Sequence, residues 1–363
     1  MLGCVIHGRG DLRVEELPVP EPGPGQALVA VRYGGVCGSD LHYWKHGGVG
    51  DFRLREPMLL GHEVVGTVLA YGTAAGAGPV PGTAVAVHPA TPCGACPECL
   101  RGRRNICRDT RYLGSAARFP HVQGGFAGQV VVPADQLRPL PAGLEPRRAA
   151  LAEPLSVALH AVHRAGDVAG RHVLVTGAGP IGCLVVAAAR AAGASRVTVT
   201  DLLPAALAYA RAAGADTVVR ADDPDDPGWP AEADVAVEAS GVAAGLDTCL
   251  RLVRRGGVVV QLGMLPPGPS PFAGNLVVSR EIDLRGAFRF DAEFDEALRL
   301  LAAGPAFDAL VSAVVPVREA ESAFALAADR SRSCKVLLDF GAPLTAPDDQ
   351  RETGSPAARP PAS

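Results

Sequence analysis

The sequence predicts an α/β protein in two parts, an irregular β-rich domain and a doubly wound parallel-sheet domain. Three observations carry this. Up to about residue 150, short apolar alternations such as ALVAVRY and EVVGTVLAYG are separated by Gly and Pro clusters, the pattern of half-buried strands joined by turns. From His172 onward, buried β-branched runs alternate with alanine-rich helical stretches, which implies crossover units and a parallel sheet. At 363 residues the chain is long enough to bury two full cores.

In the second part the expected strands are HVLVT, RVTVT, DVAVEA, GGVVVQLG and IDLRGAF. Beyond about residue 290 the helical stretches DEALRLLAAG and REAESAFALA enclose the strand-like SAVVPV, and KVLLDF closes the ordered chain. This last segment need not join the parallel sheet. From Ala342 the Pro, Ala, Asp and Ser composition buries too little apolar surface to order itself, which predicts a disordered tail over 342–363. There is no internal repeat.

A net charge of −4 and the lack of a long basic run argue against nucleic acid or an anionic membrane as partner and favour a small molecule. The first residues hold no basic segment followed by an apolar stretch, and the longest apolar helix candidate, IGCLVVAAARAAGA, is short and carries Arg190. A cytoplasmic location without a membrane anchor is the expectation. Only Lys45 and Lys335 are lysines, against many arginines, so single surface arginines carry little information.

Four of the nine cysteines, Cys93, Cys96, Cys99 and Cys107, fall within fifteen residues as C-x2-C-x2-C-x7-C. Thiolates so spaced wrap one tetrahedral zinc, and four protein ligands leave no position for substrate, so this site is structural. Gly94 and Pro97 allow tight turns, and Arg101, Arg103, Arg104 and Arg108 are expected to offset the thiolate charge. Disulfides fit poorly, because the scattered Cys37, Cys183, Cys249 and Cys334 would mispair in an oxidising compartment.

The segment HVLVTGAGPIGCLVVAAARAAGA is a strand, a glycine turn and a helix, with Gly177, Gly179 and Gly182 in G-x-G-x-x-G. In that context the turn, including Pro180 and Ile181, presents helix N-terminal amides to a dinucleotide pyrophosphate, the Rossmann arrangement. The next strand ends at Asp201, placed to accept from both hydroxyls of the adenosine ribose. Leu202 and Leu203 offer no arginine for a 2′-phosphate, so NAD is favoured, with NADP not excluded. The alternative, glycines serving only a turn in a cofactor-free protein, has little support once strand, turn, helix and acid agree.

The remaining metal-ligand candidates are Cys37 in GGVCGSDLHYW, His62 and Glu63 in LLGHEVVG, and Glu153 in LAEPLSVALH. Singly, a cysteine is usually core, a histidine structural, and a Glu-Pro a helix start. Together with a closed zinc and a dinucleotide fold they suggest a catalytic zinc with an open position.

With CGSDLHYW, GHE, the four-cysteine lobe, AEPLSVA and GAGPIG in this order and spacing, the chain resembles the zinc-dependent medium-chain dehydrogenase/reductases, over all but the tail. The polyol dehydrogenase branch is the nearest, and within it the idonate-oxidising members are most similar, in GDF, FPHV, GPIGCL and RGAFRF. The resemblance implies a GroES-like catalytic domain over 1–155 and 291–341, a Rossmann domain over 156–290, a cleft between them, two zinc ions per subunit, and a homotetramer or homodimer.

It also implies roles. Cys37, His62 and Glu63 would hold the catalytic zinc, with Glu153, which stands where alcohol dehydrogenases place a second cysteine, either ligating or holding the zinc's water. Ser39 and His42 would relay the proton, and Asp40 would orient His62. Taken alone, Ser39 and Asp40 read equally well as helix caps and His42 as a surface residue. An oxygen donor in place of a thiolate makes zinc a stronger Lewis acid, which suits a secondary alcohol.

Tyr43, Trp44, Phe119, Phe288 and Phe290 are candidate pocket walls, although aromatics are more often core. Arg289 is the first candidate to contact the substrate's polar end, since its fork matches a carboxylate, ahead of Arg118 and Lys45. The implied reaction interconverts L-idonate and 5-keto-D-gluconate. A sorbitol or xylitol dehydrogenase is the second enzyme reading, and a non-catalytic zinc-stabilised nucleotide-binding protein the reading from another class.

Overall fold

The computed structural model describes residues 1–74, 76 and 78–341, so the expected tail at 342–363 lies outside the described residues. In the β-rich part everything is built around the ten-residue strand Gln26–Gly35, whose valines and alanines turn inward. It pairs antiparallel with Glu63–Tyr71, Gln129–Pro133 and Lys335–Asp339. The resulting seven-stranded sheet runs Leu137–Pro139, Ala84–Val87, Glu63–Tyr71, Gln26–Gly35, Lys335–Asp339, Val311–Pro316, with Gln129–Pro133 branching off the long strand. Val29, Val31, Val64, Val68, Val85, Val87 and Val132 fill its interior. Each contributes roughly 1.5–3 kcal/mol by leaving water. The segments SAVVPV and KVLLDF thus belong to this sheet, KVLLDF beside its long strand and SAVVPV at its edge.

The second part is a six-stranded, wholly parallel sheet in the order Thr217–Arg220, Arg196–Asp201, His172–Thr176, Ala233–Glu238, Val253–Gln261, Asp283–Gly286. Five of these strands are those expected from the sequence. The sixth, Thr217–Arg220, is a correction: four residues with one fully buried side chain give too short a pattern to stand out. Strand order reverses beside His172–Thr176, the switch point at which such sheets place a ligand, at the carboxyl ends of the strands.

Between the two parts lies packed helix. Ala152–Ala165 runs unbroken through residue 155 and buries Leu155, Leu159 and Val162 against Val185 and Ala188 of Pro180–Ala191. Phe294, Leu298 and Leu301 of Glu293–Ala303 close the same core, which also takes in Val65 and Ala86 from the β-rich sheet. No helix among the described residues is long and apolar enough to cross a membrane.

Candidate active site

Cys37 ends the turn after the strand Gln26–Gly35 and serves as N-cap of the helix Gly38–His46. Its N–H donates to Asp40 Oδ2 at 2.9 Å, which fixes the thiol at the helix entrance. Asp40 is wholly buried, and its Oδ1 lies 3.4 Å from Gly61 N and 3.9 Å from His62 Nδ1. His62 and Glu63 open the strand Glu63–Tyr71 and are also buried. The fold thereby brings the donor atoms of Cys37, His62 and Glu63 within 4.8 Å of one another.

Burial pushes the Glu63 carboxyl up to about 7, against the pull of Lys335. Burial also works against a charged His62 imidazole, yet Cys37 and Asp40 outweigh it and lift His62 to about 10. A pocket whose anionic donors hold a proton this firmly has the electrostatics to hold a divalent cation, and sulfur, nitrogen and oxygen donors suit zinc.

Glu153 stands in the first turn of Ala152–Ala165 and is not one of that tight group of three. Its Oε1 accepts from Tyr112 Oη at 2.6 Å, and the Tyr112 ring lies 5.7 Å from the His62 ring. Lys335 was outside the expected site, and it enters from the central strand Lys335–Asp339. Its Nζ donates to both Glu63 oxygens, at 2.7 and 2.8 Å, and to Val36 O at 3.1 Å, entirely out of water.

Arg289 takes φ +53, a left-handed conformation that costs a non-glycine residue on the order of 1 kcal/mol. Its guanidinium covers the Tyr112 ring at 4.2 Å and the Phe288 ring at 4.9 Å. Phe288 is partly exposed, whereas Phe290 is buried and stacked on Phe294.

Two expected pocket walls, Trp44 and Phe119, are placed elsewhere, and a third, Tyr43, is buried but within electrostatic reach of Arg289. Tyr43 is turned into the core, its Oη accepting from Ala116 N at 2.9 Å. Trp44 packs edge-on against Phe324, and Phe119 stands at the surface beneath the Arg55 guanidinium. Arg118 braces a loop through Thr110 O, and Lys45 is exposed. Ser39 and His42 lie one turn apart on Gly38–His46, with His42 exposed. Partial burial of the ring, then His46 and Lys45, lower the His42 pKa.

The four lobe cysteines also lie mutually within 4.8 Å, with Cys96 and Cys107 Sγ 3.8 Å apart. The expected arginine counter-charge is present at Arg108, which feels the Cys96 sulfur, although its first partner is a carboxylate. Arg108 is paired with Glu98 and Arg104 with Asp291, while the sulfurs accept backbone N–H groups: Cys96 N to Cys93, and Cys93 N and Asp109 N to Cys107, each at 3.3 Å. The lobe also reaches the cleft. Arg104 holds Asp291 through its N and Nε, and Asn105 Nδ2 donates to Phe288 O at 2.9 Å, so Arg289 is bracketed from both sides.

At the crevice, Gly177 has φ +92, and a Cβ there would meet the Ser240 backbone at 2.7 Å. A Cβ on Gly182 would strike Gly177 O at 1.8 Å, so the helix Pro180–Ala191 seats directly on the turn. At Gly179 a Cβ would find open space apart from one side chain, which fits a phosphate approaching the amides. Asp201 Oδ2 accepts from Ala178 N at 2.7 Å and Oδ1 from Leu203 N at 3.0 Å. The absence of an arginine next to Asp201 in sequence is made good in space by Arg330.

Lys335, Tyr112, Asn105 and Arg330 escape sequence reasoning because each arrives through tertiary contact. The one available signal was Lys335 itself, a lysine kept in a chain that otherwise writes arginine.

The chain matches the alcohol dehydrogenase GroES-like domain over residues 23–142 and the zinc-binding dehydrogenase domain over residues 180–303. It is 40% identical to the L-idonate 5-dehydrogenase (NAD(P)(+)) of Escherichia coli K12 over 341 residues, 93% of this chain and 98% of that one. It is 35% identical to the sorbitol dehydrogenase of Bacillus subtilis, over 84% and 86% of the two chains. The crystal structure of the Escherichia coli L-idonate 5-dehydrogenase superposes with a TM-score of 0.88, covering 93% of this chain and 98% of that chain. A zinc-binding dehydrogenase from Sinorhizobium meliloti, bound to NADP, superposes at 0.82 with 32% identity, covering 93% and 98% of the two chains.

This protein belongs to the zinc-dependent medium-chain dehydrogenase/reductases. It is a CH–OH oxidoreductase of the polyol dehydrogenase branch, with the GroES-like and Rossmann-type parts that family combines.

Proposed function

We propose that the chain interconverts L-idonate and 5-keto-D-gluconate with NAD(P), using a catalytic zinc at Cys37, His62 and Glu63 and a structural zinc in the cysteine lobe. The observation that carries the substrate choice is Arg289. Among the described residues it donates no hydrogen bond, yet it is held over Tyr112, the tyrosine that bonds Glu153 beside the metal cluster. A planar fork whose N–H groups are unshared matches a carboxylate better than a row of hydroxyls. The 40% identity to an idonate dehydrogenase supports the same reading.

When bound, the zinc supplies Lewis-acid polarisation of the substrate hydroxyl and the nicotinamide ring accepts the hydride. The chain's own residues handle position and proton. Arg289 anchors the carboxylate end, Glu153 accepts a hydrogen bond from the bound hydroxyl or water, and Asp40 orients the His62 ring. Ser39 Oγ accepts the hydroxyl proton as its own passes on toward His42, which releases a proton to solvent. Lys335 donates to both Glu63 oxygens and opposes the burial that raises its carboxyl. Gly177, Gly179, Pro180, Ile181 and Gly182 receive the pyrophosphate, and Asp201 the adenosine ribose.

The test is the rate of NADH or NADPH formation across L-idonate, D-gluconate, sorbitol and xylitol. L-idonate is expected to give the highest kcat/KM, and Arg289→Met to raise its KM while leaving that of sorbitol nearly unchanged. Sorbitol or xylitol winning by orders of magnitude would make the protein a polyol dehydrogenase instead. Metal analysis finding zinc only at the lobe would sink the open site altogether.

A further inference from the structure

Two cysteines from different parts of the molecule meet in the core that joins those parts. Cys183 stands in the first turn of the helix Pro180–Ala191, and its N–H donates to Gly179 O at 2.9 Å. Cys334 directly precedes the strand Lys335–Asp339 of the β-rich sheet, and its N–H donates to Ser312 Oγ at 3.0 Å. Both backbones are thus pinned. Both side chains are buried in one hydrophobic cluster, where the Cys183 thiol donates a hydrogen bond to the Cys334 sulfur. About 150 residues of chain, with most of the parallel sheet, lie between the two.

A core thiol is ordinarily inert, and burial pushes Cys4 and Cys249 up to about 12. Cys334 goes the other way. The hydrogen bond from Cys183, then Lys335 and Arg330, hold its thiol below the ordinary value against burial. The same contact, together with burial, holds the Cys183 thiol well above its ordinary value. A sulfur beside two cations and touching a protonated thiol is the arrangement of a peroxide-reactive cysteine and the cysteine that resolves it. Exposed Ser331 and Arg332 lie just before Cys334 and give a small oxidant its nearest approach.

We propose that Cys183 and Cys334 are a modification site for hydrogen peroxide, oxidised to a reversible disulfide that ties the glycine-turn helix to the Lys335 strand. The Cys334 thiolate attacks one peroxide oxygen, the O–O bond breaks, hydroxide leaves, and Cys334 becomes a sulfenic acid. The Cys183 sulfur then attacks the sulfenic sulfur, the S–O bond breaks, and the oxygen leaves as water with the Cys183 proton. In all, two thiols lose two electrons and one peroxide becomes two waters. Such a bond is transient and undone by a dithiol, unlike the constitutive bridges of secreted proteins. It involves none of the proposed zinc ligands.

The test treats the zinc-loaded, full-length protein with graded hydrogen peroxide, follows zinc release with a chromogenic chelator and maps thiols by mass spectrometry. A linked 183–334 peptide is expected before any zinc is released, and dithiothreitol is expected to remove it. By closing so long a loop, the link is expected to raise the melting temperature by roughly 3 °C or more. In Cys183→Ala, dimedone is expected to capture a sulfenic acid at Cys334, whereas Cys334→Ala is expected to give no label at Cys183. The wild-type map needs no substitution, so it decides the matter even where a variant folds poorly.

A link that forms only after zinc has left would overturn the proposal, because it would report unfolded chain. So would dimedone capture at Cys183 in Cys334→Ala, or oxidation of Cys37 or the lobe while residues 183 and 334 remain free thiols. A linked protein that melts no higher than the reduced one would overturn it as well.

Discussion

The cysteine lobe and the Cys37 cluster each gather metal-ligating side chains within 4.8 Å, but they do so by opposite means. The lobe draws its ligands from fifteen consecutive residues at a partly exposed surface and steadies its sulfurs with neighbouring backbone N–H groups. The other cluster draws on Cys37, partly buried, and on His62, Glu63 and Lys335, out of water, and is steadied by charge: Asp40 near His62, Lys335 on Glu63. A locally built site keeps its geometry with little help from the rest of the fold. One assembled from distant strands is only as sound as the ionic contacts that replace its hydration.

That contrast can be broken by substitution, and the largest effect falls on turnover. Cys37→Ser is expected to lower kcat by roughly three orders of magnitude or more, since metal polarisation is worth several kcal/mol. Its melting temperature and nucleotide affinity are expected to stay near wild type. A melt that falls with activity would show the open cluster to be structural as well.

Next comes the buried cation. Lys335→Met strands Glu63 without its partner and is expected to cost about 3–5 kcal/mol in denaturant unfolding. Adding Glu63→Gln removes the orphaned charge and is expected to restore much of that loss. If the double variant is no more stable than the single one, charge pairing is not what holds the cluster.

Cys96→Ser, in the lobe, is a smaller disturbance. Zinc content is expected to fall by one ion per chain and the melting temperature by roughly 4 °C or more. Because Asn105 and Arg104 bracket Arg289, KM for the substrate is expected to rise while nucleotide affinity holds. An unchanged melt at full zinc content would remove the lobe's structural role.

The smallest effect concerns pH. Burial, then Arg138, lowers the His88 imidazole to about 4, between Phe290 and Phe294. The unfolded chain takes up this proton first as pH falls below about 6.5, so stability is lost between pH 6.5 and 4 and levels off below. His88→Phe is expected to flatten the pH dependence over that window by on the order of 3 kcal/mol relative to wild type, read from paired unfolding curves. Parallel curves would refute it.

What the sequence makes legible follows the same division. The glycine turn, the lobe and Asp201 each lie within one strand–turn–helix or one loop, where spacing alone fixes proximity. The strand Thr217–Arg220 is too short to show a period, and SAVVPV and KVLLDF do not announce which sheet they join. Tyr43, Trp44 and Phe119 show that an aromatic near a motif says nothing of the direction its ring takes. Lys335, Tyr112 and Arg330 meet their partners 272, 41 and 129 residues away, distances over which no local pattern operates.

The position of Lys335 has a further consequence, for the order in which the molecule is made. The chain lays down Cys37, His62 and Glu63 near its beginning, but the cation that neutralises Glu63 arrives at residue 335 of 363, on a strand threaded beside Gln26–Gly35. During synthesis the parallel sheet emerges whole while the earlier β-rich part still has a gap at its centre. The Cys37 cluster therefore closes only after the whole parallel sheet has been translated, and a nascent chain stalled before Lys335 would hold that sheet complete and Glu63 without its cation.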